Sequence, residues 1–356
     1  MNDASSQDPE QQSMPPLGAD HPSVARILRR WRQLSGGRHT RDPDRKTLVA
    51  CSGGADSVAL AIALAQIPSS CVLAHIQHDM RTPEQAEHDR AYVEALAKRL
   101  GVDCAFGIAA VSEEPGNLEA NAREARYQEL ARIADEHACP YIATGHHADD
   151  QLETLLMHLM RGSGTRGMSG MRPATPLGNK TLLRPLLEIP RNEIETMLRE
   201  LDIAWCHDQT NDDPAYVRNR IRQDLLPLLR RLDPEIARHA SQWSQDLVAM
   251  QEVMDERVEA TLMEPCTITD SQWRWPRELL QAHPDIMLGY LPGLYCLRVL
   301  DNEGADRITR RAIDSWIRSV KSDSNNPTEH RIGPIVAHIR AHEVRFTPAE
   351  SSELST

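Results

Sequence analysis

The stretch that most constrains this chain is Leu48-Val49-Ala50-Cys51-Ser52-Gly53-Gly54-Ala55-Asp56-Ser57-Val58-Ala59-Leu60. Leu48 to Cys51 is a short apolar run suited to a buried strand. The run breaks at Ser-Gly-Gly, and Val58, Ala59, Leu60, Ile62, Ala63 and Leu64 read as an apolar helix. Strand, glycine turn and helix N-terminus together form an anion cradle, because free N–H groups and the positive end of the helix dipole face the turn. Gly53 and Gly54 let the backbone approach a ligand closely. Ser52 and Ser57 add hydroxyls beside Ala55. Asp56 adds a negative charge where phosphate would be repelled, which makes sense if a divalent cation bridges the two. An ordinary strand-to-helix turn with Asp or Ser as N-cap has the same local features, so the flanking motifs decide.

The stretch is not G-x-x-x-x-G-K-[ST], since no lysine follows the glycines, and it is not G-x-G-x-x-G. Ser-Gly-Gly-x-Asp-Ser resembles the PP-loop of enzymes that cleave ATP between the α and β phosphates. Further apolar runs at Val72–Ile76, Cys104–Ile108 and Tyr141–Thr144 alternate with helical segments at Pro83–Leu100 and Asn117–His137. That alternation predicts a parallel, doubly wound α/β sheet, whose ligands sit outside the carboxyl ends of the strands. His75, Gln77, His78 and Arg81 lie at one such end. A zinc reading of His75 and His78 lacks further ligands nearby.

The densest ionisable run follows the Tyr141 strand: His146-His147-Ala148-Asp149-Asp150-Gln151-Leu152-Glu153. Asp150 and Glu153 share a helical face. Asp149 reads as a dipole complement or cap, whereas His146 with Asp150 reads as a base or orienting pair beside a Mg²⁺ site. Arg123 and Arg126 also share a face, which either holds phosphate or pairs with Glu119 and Glu129. From Leu155 to Leu187 no acidic residue occurs, but Arg161, Arg166, Arg172, Lys180 and Arg184 do. Arg161 to Gly167 is a basic, glycine-rich loop of a kind that wraps a phosphate backbone or closes over a nucleotide. Arg218 and Arg222, four apart, make either a phosphate clamp or a solvated face. Four arginines between Arg26 and Arg32 read as a solvated helix face rather than an RNA-facing edge.

These basic clusters stand out because the chain as a whole carries a net charge of −12, which argues against non-specific nucleic-acid binding. Its 356 residues allow two or three domains, and the 4% of aromatic residues predict an aliphatic core. Seven cysteines without C-x-x-C pairs fit a reducing compartment. No apolar run is long enough to span a membrane, and residues 1–20 lack the features of a signal peptide, so a cytoplasmic location is expected. Residues 1–22 read as a disordered tail, 23–231 as the catalytic domain and 232–356 as a smaller, mainly helical domain with a strand pair over Arg331–Phe346.

Five elements thus stand in order: Ser52 to Ser57; Asn117 to Tyr127; His146 to Thr154; Arg161 to Gly164; and Asp208 to Arg222. In this order and spacing they resemble the tRNA(Ile)-lysidine synthetases, a PP-loop family, closely over residues 45–231 and more loosely to about 320. The resemblance implies that ATP adenylates the wobble cytidine of a CAU-anticodon tRNA(Ile) at its C2 oxygen, and that free L-lysine then displaces AMP to give lysidine. It implies ATP binding by Ser52, Gly53, Gly54, Ala55, Asp56 and Ser57, with Asp56 on Mg²⁺. His146, Asp150 and Glu153 would place the lysine amine and accept its proton. Arg218 completes the catalytic set. Arg222, Arg123, Arg126, Arg161, Arg166 and Arg184 would bind tRNA or the intermediate. A homodimer is compatible with this reading, and no membrane is involved. Asp79 stands where the family more often has glycine, and the chain leaves little room for the C-terminal RNA-binding domain of larger members. A PP-loop thiolase, which needs a catalytic cysteine or an Fe–S cluster, is one alternative. A non-catalytic RNA-binding module with a relic nucleotide site is the other.

Overall fold

In a computed structural model the described residues are 18–78, 83–109, 118–162, 169–206, 217–301, 304 and 307–349. Most of the expected N-terminal tail, Asp79, Arg81, Asn117, the 163–168 part of the basic loop with Arg166, and Asp208–Tyr216 lie outside them. The chain divides into two units, residues 1–154 with 171–242, and residues 155–170 with 243–356.

The first unit is built on strands β1 (Thr47–Ala50), β2 (Cys71–His78), β3 (Asp103–Ala109), β4 (Tyr141–Ala143), β5 (Ala174–Leu177) and β6 (Lys180–Leu183). Their spatial order is β3-β2-β1-β4-β6-β5. The first five in that order run parallel, and β5 closes the edge as an antiparallel partner of β6. In β1 every residue is buried, as a central strand covered on both faces requires. Alternate residues serve opposite faces. Val49, Cys51, Leu73, Ala143 and Leu183 join a core with helices α1 (Pro22–Leu34) and α2 (Ala55–Ala65). Leu48, Ala50, Val72, Ala74, Ile142 and Leu182 pack on the other side against Leu130, Ile133 and Ala134 of the helix Leu118–Glu136. This two-faced core is the doubly wound arrangement expected from the sequence. The chain runs β1, β2, β3 toward one edge and then returns to place β4 on the other side of β1. A crevice therefore opens at the carboxyl ends of β1 and β4.

Helix α2 is apolar all round, and its Val58 to Leu64 are all buried, as a helix enclosed on every side demands. On α1 the buried stripe is Val24, Ile27, Leu28 and Trp31, and the Trp31 indole N–H donates to Thr47 Oγ1 at 3.0 Å. Three of its four arginines are engaged within the protein: Arg26 with Glu193, Arg30 with Glu188, and Arg32 with Asp42.

The second unit holds a five-stranded antiparallel sheet where the sequence alternation suggested only a strand pair. Strands Thr267–Thr269, Gln272–Pro276, Thr328–Ile332, Ile335–Ile339 and Glu343–Pro348 form it. The first two were hidden because they are short and rich in polar residues. Trp273, Trp275, Tyr295, Trp316 and Phe346 pack in edge-on or tilted pairs at 5.1–5.9 Å between ring centroids. The aliphatic core expected from composition thus describes the first unit, while the second concentrates the chain's scarce aromatics. Arg277 is buried there and donates to the backbone carbonyls of Ser319, Val320 and Ser324, which satisfies the C-terminal end of helix Arg310–Lys321. Among the described residues no helix is long and apolar enough to cross a membrane.

Because Leu60 of α2 is fully buried in the core, Leu60→Ala is expected to lower unfolding free energy by about 2–5 kcal/mol. Urea denaturation followed by tryptophan fluorescence and circular dichroism measures it.

Candidate active site

At the carboxyl end of β1 the backbone turns at Gly53 with φ +86°. A Cβ there would stand 3.2 Å from Cys206 Sγ and 3.3 Å from the Tyr92 ring, so both conformation and space require glycine. Gly54 is the N-cap of α2, and no side chain caps that end. Ser57 Oγ donates to Gly54 O at 2.9 Å and accepts from Ser52 N at 3.2 Å. The turn is thereby closed by Ser57 while the first N–H groups of α2 remain at an open, positive helix end. Ser52 to Ser57 thus bring a glycine turn onto an uncapped helix N-terminus.

The second wall comes from the loop after β4, which leads into the helix Ala148–Met160. Gly145 allows the two walls to meet: a Cβ on it would lie 3.0 Å from Asp56 C and from Ser57 N. His147 is buried, with Nε2 3.6 Å from Asp56 Oδ2 and 3.4 Å from Asp150 Oδ2, and Nδ1 3.7 Å from Asp149 Oδ2. Burial disfavours its cationic form, but Asp150, Asp56 and Asp149 outweigh this and its pKa is raised. Asp150 also accepts the His147 backbone N–H at 3.0 Å. Burial pushes Asp150 up, but His147, His146, that backbone bond and Arg222 overcome it and hold the carboxyl below its ordinary range. Asp56 behaves oppositely, since burial dominates and raises its pKa despite His147. Its Oδ1 is buried and has no hydrogen-bond partner among the described residues. An orphaned carboxylate oxygen beside a phosphate cradle fits a hard cation such as Mg²⁺, which takes one or two carboxylates and fills its other positions with water and phosphate.

His146, expected to pair with Asp150, acts on that carboxyl electrostatically, and His147 stands closer to it. His146 Nδ1 lies 2.8 Å from Thr144 Oγ1, and the imidazole against Asp150 is that of His147. Burial, together with Arg184, Arg123 and Arg126, lowers the His146 pKa to about 3 despite the nearby Asp150, so the ring is neutral at neutral pH. Glu153, expected to accept a proton from the lysine amine, has both oxygens engaged by arginines. It is fully buried, with Oε2 accepting from Arg218 Nε at 2.9 Å and Oε1 from Arg222 Nε at 2.7 Å. Both oxygens are taken, so Glu153 anchors the two guanidinia. The phosphate clamp expected of Arg218 and Arg222 is therefore first a carboxylate clamp, and Arg222 also reaches Asp150 Oδ1 at 3.1 Å. Asp149 accepts from Arg191 N at 2.7 Å and from Arg230, so it meets the start of helix Arg191–Glu200 rather than capping its own helix.

Arg123, Arg126 and Arg184 gather beside His146. Arg123 donates to the Tyr127 hydroxyl at 3.1 Å and stacks over its ring. Arg184 is buried and donates to Arg172 O at 2.7 Å, and its Nε has no partner among the described residues. Burial lowers the pKa of both Arg126 and Arg184. Glu129 pairs with Arg132 at 2.7 Å, which removes it as the surface partner considered for Arg126. Arg161 is exposed, in the second unit. His147 and Gly145 are the residues missed by sequence reasoning. The doubled histidine and the glycine before it were visible signals, but nothing local distinguishes which imidazole turns inward.

Removing charge from Glu153 leaves two guanidinia facing a buried neutral group. Glu153→Gln is expected to cost roughly 2–3 kcal/mol, less than a fully buried pair because the arginines are partly exposed; chemical denaturation checks it. For His146 the folded pKa is depressed from 6.5 to about 3, so the unfolded chain binds the proton first as pH falls. Stability present above pH 6.5 is lost as pH drops toward 3. The stability of wild type relative to His146→Gln should fall across that window, measured by denaturation at several pH values.

The PP-loop domain family matches residues 25–229. A tRNA(Ile)-lysidine synthase from Nostoc sp. (strain PCC 7120) is 42% identical over 198 residues, 54% of this chain and 56% of that protein. The one from Salinispora arenicola is 39% identical over 258 residues, 69% of this chain and 74% of that protein. The one from Geobacter sulfurreducens is 35% identical over 254 residues, 69% and 53% respectively. The chain thus spans about half to three quarters of the length of these relatives. Among solved structures, the U34-tRNA thiolase NcsA from Methanococcus maripaludis, with its [4Fe-4S] cluster, has a similar fold. Its TM-score is 0.52 at 18% identity, covering 64% of this chain and 80% of that one. A domain match over more than half of the chain and a relative covered over most of its length both point one way: the chain belongs to the tRNA(Ile)-lysidine synthase family of PP-loop proteins.

Proposed function

We propose that the chain ligates free L-lysine to C2 of the wobble cytidine of a CAU-anticodon tRNA(Ile), consuming ATP and releasing AMP and pyrophosphate. The observation that carries this reading is the meeting, at Gly145, of an uncapped helix N-terminus with the Asp56–His147–Asp150 array. In the first step the cytosine C2 oxygen attacks the α-phosphorus, and pyrophosphate departs. Its charge develops toward the first backbone N–H groups of α2, those of Ala55, Asp56 and Ser57, and toward the Ser52 hydroxyl, while Gly53, Gly54 and the Ser57 hydroxyl shape the turn that presents them. Mg²⁺ held by Asp56 would neutralise part of that charge.

In the second step the lysine ε-nitrogen forms a bond to C2 while the bond from C2 to the adenylate oxygen breaks. An ammonium has no lone pair, so its proton must leave first. Asp150, held ionised, is a counter-ion for the incoming ammonium. His146, held neutral, offers its remaining ring nitrogen to an N–H of the amine. Glu153 fixes Arg218 and Arg222, whose other N–H groups face the adenylated intermediate. Arg123, Arg126 and Arg184 form a site for a phosphate of AMP or tRNA, and Arg161 and Arg166 extend tRNA contacts. Residues 23–231 would carry the chemistry and 232–356 would support the tRNA, in the cytoplasm, in a monomer or homodimer. The thiolase alternative is disfavoured at Cys51, the cysteine nearest the cradle in sequence: burial pushes its thiol up, away from the reactive thiolate.

Incubation with ATP, Mg²⁺, labelled lysine and a CAU-anticodon transcript should put label into the RNA, with pyrophosphate released in step. Asp56→Asn and Asp150→Asn should each abolish incorporation. Full activity in either variant would remove that residue from the mechanism, and no label with the wild-type protein would overturn the reading.

A further inference from the structure

Behind the Gly53 turn, away from the carboxylate array, stand His88, Asp89 and Cys206. Among the described residues they are the one group of three histidine, cysteine or carboxylate side chains whose donor atoms all lie within 4.8 Å of one another. His88 Nδ1 is 3.8 Å from Asp89 Oδ1. The two belong to the helix Pro83–Leu100, while Cys206 comes from the segment after helix Arg191–Glu200. We propose that His88, Asp89 and Cys206 form a transition-metal site, with Zn²⁺ as the ion its donors suit.

The donor set favours this ion class. Thiolate and imidazole are soft or borderline ligands that select Zn²⁺ over Mg²⁺ or Ca²⁺, and one carboxylate completes a three-residue set with a fourth position for water. The set is also held in advance. Cys206 N donates to Gly53 O at 2.9 Å, and Tyr92, one turn along from His88 and Asp89, donates its hydroxyl to Ala204 O at 2.6 Å. These bonds pin the cysteine segment against the helix that carries the other two ligands, so little ordering is left to the metal. Asp89 is buried, only 5% exposed, where a carboxylate gains from an adjacent cation. His88 is mostly exposed, which gives the ion an entry path. Because Cys206 is bonded to Gly53 itself, an ion at this site would hold the glycine turn from behind.

The site is independent of the lysine-ligation reading, and its test needs no substrate. The metal-stripped full chain is titrated with Co²⁺ and Zn²⁺. Wild type should bind one Co²⁺ with a sulfur-to-cobalt charge-transfer band that Zn²⁺ abolishes. Cys206→Ser should lose the band, and Cys104→Ser and Asp56→Asn should keep it. His88→Ala, at an exposed position that folding tolerates, should weaken Zn²⁺ binding by at least about tenfold. A wild-type protein without the sulfur band, or affinities unchanged in both His88→Ala and Cys206→Ser, would overturn the site.

Discussion

Buried charge is costly unless opposite charges meet within hydrogen-bonding or near-contact distance. At the centre of the first unit Asp56, Asp149, Asp150 and Glu153 face His147, Arg218, Arg222 and Arg230. The raised pKa of the His147 imidazole has its origin in Asp150, Asp56 and Asp149 around it, which outweigh its burial. The array links the turn after β1, the loop after β4 and the arginine-bearing helix from Val217 onward. Those three pieces are remote in sequence, and the charge pattern is what makes them one site.

The sheet decides where the array forms. Reversal of strand direction of travel between β1 and β4 leaves their carboxyl ends uncovered by a crossover helix. The N-terminus of α2 and that of the following acidic helix both open there. A helix N-terminus favours anions, so Asp149 and Asp150 in a first turn are in a stabilising place, and so is a bound phosphate at the other helix. Gly145 then lets the two ends approach so closely that a Cβ there would stand only 3.0 Å from Asp56 C and Ser57 N.

The overall charge of −12 and the arginine cluster beside His146 are not in conflict. Surface acids repel polyanions in general, whereas three guanidinia gathered at one place would favour a single phosphate there, as proposed above. Selectivity for a particular anion is better served by that contrast than by a uniformly basic surface. Burial, aided by the same arginines, keeps the imidazole of His146 neutral.

What the sequence by itself determined is local: the strand, glycine turn and apolar helix from Leu48 to Leu64, the shared helical face of Asp150 and Glu153, and the shared face of Arg218 and Arg222. These follow from periodicity and from the φ and cap requirements of glycine and helix ends. Tertiary structure alone decided that the last two faces meet each other, so that guanidinia expected for phosphate are held by carboxylates. It also decided that His147 rather than His146 turns toward Asp150, and that Cys206 lies against His88 and Asp89. The physical reason is the same in each case. Charge pairing and burial act between segments far apart in the chain, and neither leaves a mark on the local spacing of residues.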